Sequence, residues 1–298
     1  MTERYSDYDQ WAWLYNETAG PEYRDHQLDF IQRALLPAMK SNGHILDLCC
    51  GTGQIMQPLI ELGYAVTGLD GSESMLKFAK SNAPKANVLL ADARTFTVSK
   101  KFDGAISTSA SLNHIPTIED LKQVFQQVAK SLNPEAPFIF DINQPKQMAA
   151  HWRGQAAEGE LNINYGWLIT PNYNSNEGKG YFKVDIYEAQ DTQLNFLKAP
   201  LFKILGLKRL TGARLRLLKQ FKRLQPKWKH KELTYSVIGH DLAAVKAALE
   251  EAGFTQISIQ DAKGNEELSH NSSAHFVCYR AKEDNQSASS TDTVTEAS

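Results

Sequence analysis

Nine consecutive residues, Ile45-Leu46-Asp47-Leu48-Cys49-Cys50-Gly51-Thr52-Gly53, constrain this chain more than any other stretch. A short apolar run carrying an acid near its end passes into a tight glycine turn, and Ile55 to Leu62 beyond it has helical character. Glycines suit such a turn because the backbone takes unusual φ/ψ values and a ligand can lie against bare amides. An Asp inside an apolar strand is costly unless satisfied. Asp47 is therefore expected to hold the loop's amides or to accept from a ligand's ammonium group. The same rhythm continues. Ala65–Leu69 reads as a second strand ending at Asp70, and Ser72–Ser81 as a helix with Met75, Leu76 and Ala79 on one face. Val88–Leu90 and Gly104–Ser107 read as strands three and four, Ile118–Leu132 as a helix, and Phe138–Phe140 as strand five. Strands buried on both faces and separated by helices predict a parallel sheet with right-handed crossovers.

Asp70 lies 23 residues after Asp47, at the end of the second strand. An acid about 20 residues beyond a glycine loop can grip both hydroxyls of a ribose, since a carboxylate accepts two hydrogen bonds at once. Asp92, after the third strand, is placed to meet an exocyclic amine. Three acids at the ends of three successive parallel strands point at one crevice. A nicotinamide dinucleotide fingerprint would want a third glycine three residues after Gly53, and Met56 stands there instead.

On these residues the stretch from His44 to Asp141 resembles the class I S-adenosylmethionine-dependent methyltransferase family, in particular its small-molecule branch. The resemblance implies an α/β fold: a Rossmann-like seven-stranded, mostly parallel sheet with helices on both faces. It implies S-adenosyl-L-methionine as cofactor, with the methionine part held by Asp47, Cys49, Gly51 and Gly53. The ribose falls to Asp70, followed by Gly71 and Met75, and the adenine to Asp92 with Ala93. Ser109 in the loop after strand four belongs with these cofactor contacts, because that loop passes beside the methyl group in the family. The family usually has Gly where Cys49 stands, and its frequent Pro-Gly-Gly turn before strand five is replaced by Asn133-Pro134-Glu135-Ala136-Pro137. An early helix often lids the site in the family, a part that Tyr15 or Trp11 would play.

Methyl transfer from a sulfonium is an in-line displacement in which alignment and dehydration matter most. A base is needed only if the acceptor must lose a proton, and His114 is the candidate. The competing expectation is that Asn113 and His114 merely cap the helix beginning near Pro116. The loop lacks the Asn/Asp-Pro-Pro-aromatic signature of enzymes that methylate exocyclic base amines, which argues against a nucleic-acid substrate.

After residue 150 the alternation breaks. Leu161–Ile169 and Tyr181–Tyr187 read as a hairpin, and Leu201 to Leu224 as a leucine-rich helical stretch. Asp241–Ala252 is a helix with Gly253 as its stop, and Ile257–Ile259 and Phe276–Tyr279 close the main sheet. The expected organisation is a cofactor-binding domain from 1–150 and 232–281, an inserted hairpin/helix cap at 151–231, and a polar, disordered tail at 282–298. Between Thr192 and Lys231 there are twelve Lys or Arg and no acid, so the rest of a chain of net charge −2 must carry −14. As a cap, this segment would favour an anionic or lipophilic acceptor. As a basic amphipathic surface, it could make peripheral membrane contact through 201–231. Its apolar side could also simply pack, with the cations solvated. Three cysteines show neither disulfide nor zinc spacing, and no apolar run approaches the roughly 20 residues of a membrane span, so a cytoplasmic enzyme is expected. The functional alternatives are a cofactor-binding accessory protein without catalysis and an RNA methyltransferase.

Overall fold

The structure, a computed structural model, describes residues 7–190 and 199–282. The tail expected to be disordered falls almost entirely outside them.

The first sheet has seven strands: β1 (His44–Leu48), β2 (Ala65–Asp70), β3 (Asn87–Leu90), β4 (Gly104–Ser107), β5 (Pro137–Ile142), β10 (Phe254–Gln260) and β11 (Ala274–Arg280). Their spatial order is β10-β11-β5-β4-β1-β2-β3. β1 through β5 pair in parallel, while β11 runs antiparallel to both β5 and β10. Helices α3 (Met56–Glu61), α4 (Glu73–Asn82), α5 (Ile118–Ser131) and α10 (Leu242–Glu251) make the crossovers, with α2 (Ala19–Ala34) ahead of β1 and α6 (Pro145–His151) just after β5. Sequence order reverses where β1 sits between β2 and β4, and crevices open outside the carboxyl ends of strands at such a point.

Apolar residues on the two pleat faces explain why the sheet is buried on both sides. Leu46, Leu48, Phe138 and Phe140 join one core cluster, whereas Ile45, Val66, Ile106 and Ile139 join the other. Phe140 stacks on Phe276 with centroids 4.7 Å apart and planes 4° from parallel. Its truncation to Ala would cost about 3–5 kcal/mol. Side-chain caps start the helices: Ser72 accepts from Met75 N, Thr117 from Asp120 N, and Asp241 from Ala244 N.

The inserted region is more than the expected hairpin. It is a four-stranded antiparallel sheet in chain order, β6 (Glu158–Leu161), β7 (Tyr165–Asn174), β8 (Lys179–Glu188) and β9 (Lys229–Ile238). Pro171, which falls between the two strands expected of that hairpin, lies within β7 opposite Phe182. β9 runs through the boundary drawn at residue 231, pairing Lys229 through Ile238 with β8. Its alternation of Leu233, Tyr235 and Val237 is masked by the cations at its start.

The two faces of this second sheet do different work, as alternate side chains must. Trp167, Val184, Ile186 and Tyr235 pack against Trp11 and Leu14 at the start of α1 (Ala12–Glu17). Leu161, Leu168 and Tyr187 pack against Phe202, Leu218, Phe221 and Trp228. Those four belong to α7 (Ala199–Leu205), α8 (Thr211–Lys219), α9 (Phe221–Leu224) and the turn after it. The N-terminal aromatics thus bridge to the second sheet instead of lying on the flank of the first. Among the described residues no helix is long and apolar enough to cross a membrane.

Candidate active site

A cavity of about 620 Å³ opens at the carboxyl ends of the parallel strands, within the range of roughly 300–1,000 Å³ usual for small-molecule sites. Tyr15, Cys49, Gly51, Asp70, Gly71, Met75, Asp92, Ala93, Ser109 and His114 all line it. Asp47 and Gly53, the other two residues singled out from sequence, do not. Gly53 has φ +75°, and a Cβ there would come within 2.7 Å of Met56 Cε and 3.0 Å of Ala79 Cα. Its part is to let the turn pack on α4. Gly51, at φ +53°, would meet only Tyr15 Cε1, 3.9 Å away, so its surface is open to the cavity. Cys49 takes φ +60°, the left-handed conformation that glycine adopts without strain, although it carries a side chain.

Asp70 is fixed from below. Gly51 N–H donates to its Oδ2 at 2.9 Å and Ser72 N–H to its Oδ1 at 2.8 Å. Each oxygen keeps a second lone pair, which suits a vicinal diol. Asp92 is more committed than expected, since Arg94 chelates it, with Nη2 to Oδ2 at 2.6 Å and Nε to Oδ1 at 3.0 Å. Burial raises its carboxyl, but the Arg94 hydrogen bonds and charge outweigh it and hold the group below the usual range.

Asp47 is 2% exposed, lies in register with Gly68 and Ile106, and accepts no hydrogen bond from the described residues. Burial first, and the charge of Asp70 second, push it up to about 8. Asp141, just beyond the strand expected at Phe138–Phe140 and inside β5, also lines the cavity. Burial pushes it up to about 7, against amide donors that include Ala110 N at 3.0 Å. Ser109 and Ala110 both have positive φ, 63° and 54°, so Asp141 anchors a strained loop beside the cavity.

The aromatic wall comes from the N-terminus. Asp9 accepts from Ser74 N at 3.0 Å, at the amino end of α4, where the helix dipole favours a carboxylate. That contact lays Tyr8 and Trp11 along the cavity, with Trp11 edge-on to Tyr15 at 5.4 Å. His114 Nδ1 is 2.9 Å from the Ser236 carbonyl, which can only accept, so Nδ1 carries the proton. Nε2 then accepts from the Tyr8 hydroxyl at 2.8 Å. Burial pushes His114 down to about 4, so its ring is neutral at pH 7. Neither Asn113 nor His114 caps α5; Thr117 does. Asn113 is fully buried and ties three segments together, donating to the Asn143 and Ile238 carbonyls and accepting from Asn143 N.

The basic segment, expected to cover the acceptor, contributes none of its described residues to the cavity lining. The insertion reaches the cavity through its sheet instead, with Glu158, Ile169, Pro171, Phe182 and Val237. No Lys or Arg lines the cavity among the described residues. This lining fits a cationic nucleoside, with a braced carboxylate for a diol and aromatic faces for a sulfonium, while the unpartnered Asp47 is buried two residues before Cys49.

Residues 45–135 match the model of a family described as a methyltransferase domain. YqeM of Bacillus subtilis, which carries a methyltransferase designation, is 32% identical over 165 residues, covering 54% of this chain and 65% of its own. The chain thus spans just under two thirds of that relative. A dTDP-3-amino-3,4,6-trideoxy-α-D-glucopyranose N,N-dimethyltransferase from Streptomyces venezuelae is 31% identical over 90 residues, covering 30% of this chain and 38% of its own. A solved S-adenosylmethionine-dependent methyltransferase from Clostridium acetobutylicum superposes with a TM-score of 0.66 at 14% identity, covering 92% and 99% of the two chains. The fold is therefore the Rossmann-like one expected. Residues 45–135 thus match a methyltransferase domain, and the fold around them is shared with solved S-adenosylmethionine-dependent methyltransferases.

Proposed function

We propose that this protein transfers a methyl group from S-adenosylmethionine to a small-molecule acceptor that enters between the two sheets. The carrying observation is the convergence of Asp70, braced through both oxygens, with Gly51, Asp92 and the Tyr8/Trp11/Tyr15 wall on one cavity. Asp47, Cys49 and Gly51 would hold the methionine end, Asp70 the ribose, and Asp92 with Ala93 the adenine. The cofactor, when bound, supplies an activated methyl group. The protein's part is to exclude water, align the acceptor, and take a proton where one is released.

The rest of the lining includes Asp141, Glu158, Phe182 and Trp152 and, among the described residues, no Lys or Arg. This supports a neutral or amine-bearing acceptor over an anionic one, because a carboxylate and aromatic faces attract an ammonium group. The amino-sugar substrate in the Streptomyces venezuelae relative's name points the same way. Asp141 is suited to take the proton an amine sheds. The Tyr8 hydroxyl, backed by neutral His114, offers a second polar contact.

Isothermal titration with S-adenosylmethionine and its demethylated product tests the pocket before any acceptor is known. Binding of both, lost in Asp70→Ala, supports the reading, and indifference to both overturns it. Turnover to S-adenosylhomocysteine with a metabolite pool separates an enzyme from an accessory binding protein. Turnover on RNA alone would favour the nucleic-acid reading.

A further inference from the structure

The helical half of the insertion holds an imbalance that the cavity does not use. Six large apolar side chains are exposed among the described residues, and four of them, Leu201 (53%), Ile204 (52%), Leu207 (43%) and Leu224 (50%), lie between residues 199 and 224. On α7, Leu201 and Ile204 sit one turn apart and face solvent, while Phe202 is buried against the second sheet. Lys203, Lys208, Arg209, Arg216, Lys219 and Lys222 are exposed around them, and none makes an ion pair among the described residues. Arg214 is the exception that shows how a structural cation behaves here. It turns inward to the Gly159 and Leu205 carbonyls, both at 2.8 Å.

We infer that α7–α9 form a peripheral docking surface for bilayers rich in anionic lipid. Outward aliphatic side chains enter the headgroup region while surrounding cations meet lipid phosphates, and the two attractions reinforce each other. Single-stranded nucleic acid is a poorer match. It is gripped by aromatic stacking platforms, and Phe202, Phe221 and Trp228 of this region are all turned inward. A second copy is also a poor match, because a self-complementary interface would set one acid-free cationic surface against another.

The test is co-sedimentation of the full chain with vesicles of mixed phosphatidylglycerol and phosphatidylcholine, against phosphatidylcholine alone. The bound fraction should be about ten-fold higher on the anionic vesicles at about 0.1 M salt, and should fall steeply as salt is raised. Leu201→Asp with Ile204→Asp should abolish binding. Lys219→Glu with Lys222→Glu should weaken it and flatten its salt dependence. If the aspartate pair fails to melt cooperatively, Leu201→Ser with Ile204→Ser replaces it. Equal binding to neutral vesicles, no binding to either, or binding unchanged by the Leu201/Ile204 variants would overturn the inference. So would retention on RNA homopolymer without vesicle binding, or a dimer in light scattering that those variants dissolve. Cofactor titration of the same samples reads the methyl-transfer proposal independently, so either idea can fall without the other.

Discussion

The two sheets of this molecule use their residues in opposite ways. The seven-stranded sheet buries both faces and puts its chemistry at strand ends, where Asp47, Asp70, Asp92 and Asp141 gather near the carboxyl edge. The four-stranded sheet works through its faces, one holding α1 and the cavity wall, the other holding the basic helices. Parallel strands aim loops at one place. Antiparallel strands offer broad surfaces. The acids are accordingly focused and the cations dispersed, and each sheet should fail in its own manner when altered.

The largest contrast is in affinity. Asp70→Ala should lower cofactor affinity by about 100-fold, roughly 2.7 kcal/mol, in a calorimetric titration. Phe182→Ala on the second sheet should leave that affinity within about two-fold while raising KM for any acceptor found. Equal losses from both would erase the division of labour.

Next in size are the polar groups proposed to meet the acceptor. Tyr8→Phe and Asp141→Asn should each reduce kcat by about 10- to 100-fold. Because Asp141 sits at about 7, activity on an amine should rise with pH through 7 as its carboxylate forms, and Asp141→Asn should remove that limb. His114, held at about 4, should contribute no inflection between pH 5 and 8. A limb that survives in Asp141→Asn but vanishes in His114→Gln would reverse these parts.

Asp47 gives a smaller effect of known sign. Its folded value of about 8 lies far above the unfolded value of about 3.9, so the folded state keeps a proton that the unfolded chain has lost. The apo protein should lose stability as pH rises from 4 towards 8. Asp47→Asn should therefore raise Tm most at pH 8 and hardly at all near pH 4. The same change should cost about ten-fold in cofactor affinity, and wild-type affinity should climb between pH 6 and 8. The smallest expected change is Cys49→Gly. Relief of the left-handed strain should add up to about 1 kcal/mol of stability, less the extra freedom glycine gives the unfolded chain, as read by chemical denaturation.

What the sequence reveals follows from how local each signal is. Asp47, Asp70 and Asp92 end successive parallel strands, so pattern alone places them together. Asp141 ends such a strand too and is equally legible in principle; treating it as a boundary hides it. The grip of Arg94 on Asp92 is two residues long yet needs a side-chain geometry no pattern carries. Tyr8 and His114 meet across 106 positions, and β9 pairs with β8 across a helical excursion, so neither can be read from nearby spacing. The basic segment misleads for a physical reason: a charge run shows what a surface attracts, while the direction that surface faces is decided by packing on β6–β8.

Helix α1 has one more consequence. It is six residues long, yet its Leu14 is locked to the second sheet while Tyr15, one residue on, borders the glycine turn. A ligand that shifts Tyr15 would therefore be expected to press on the second sheet, and by linkage any such influence would be mutual. Grafting a foreign second sheet to recruit new acceptors would disturb donor recognition unless this helix travelled with it.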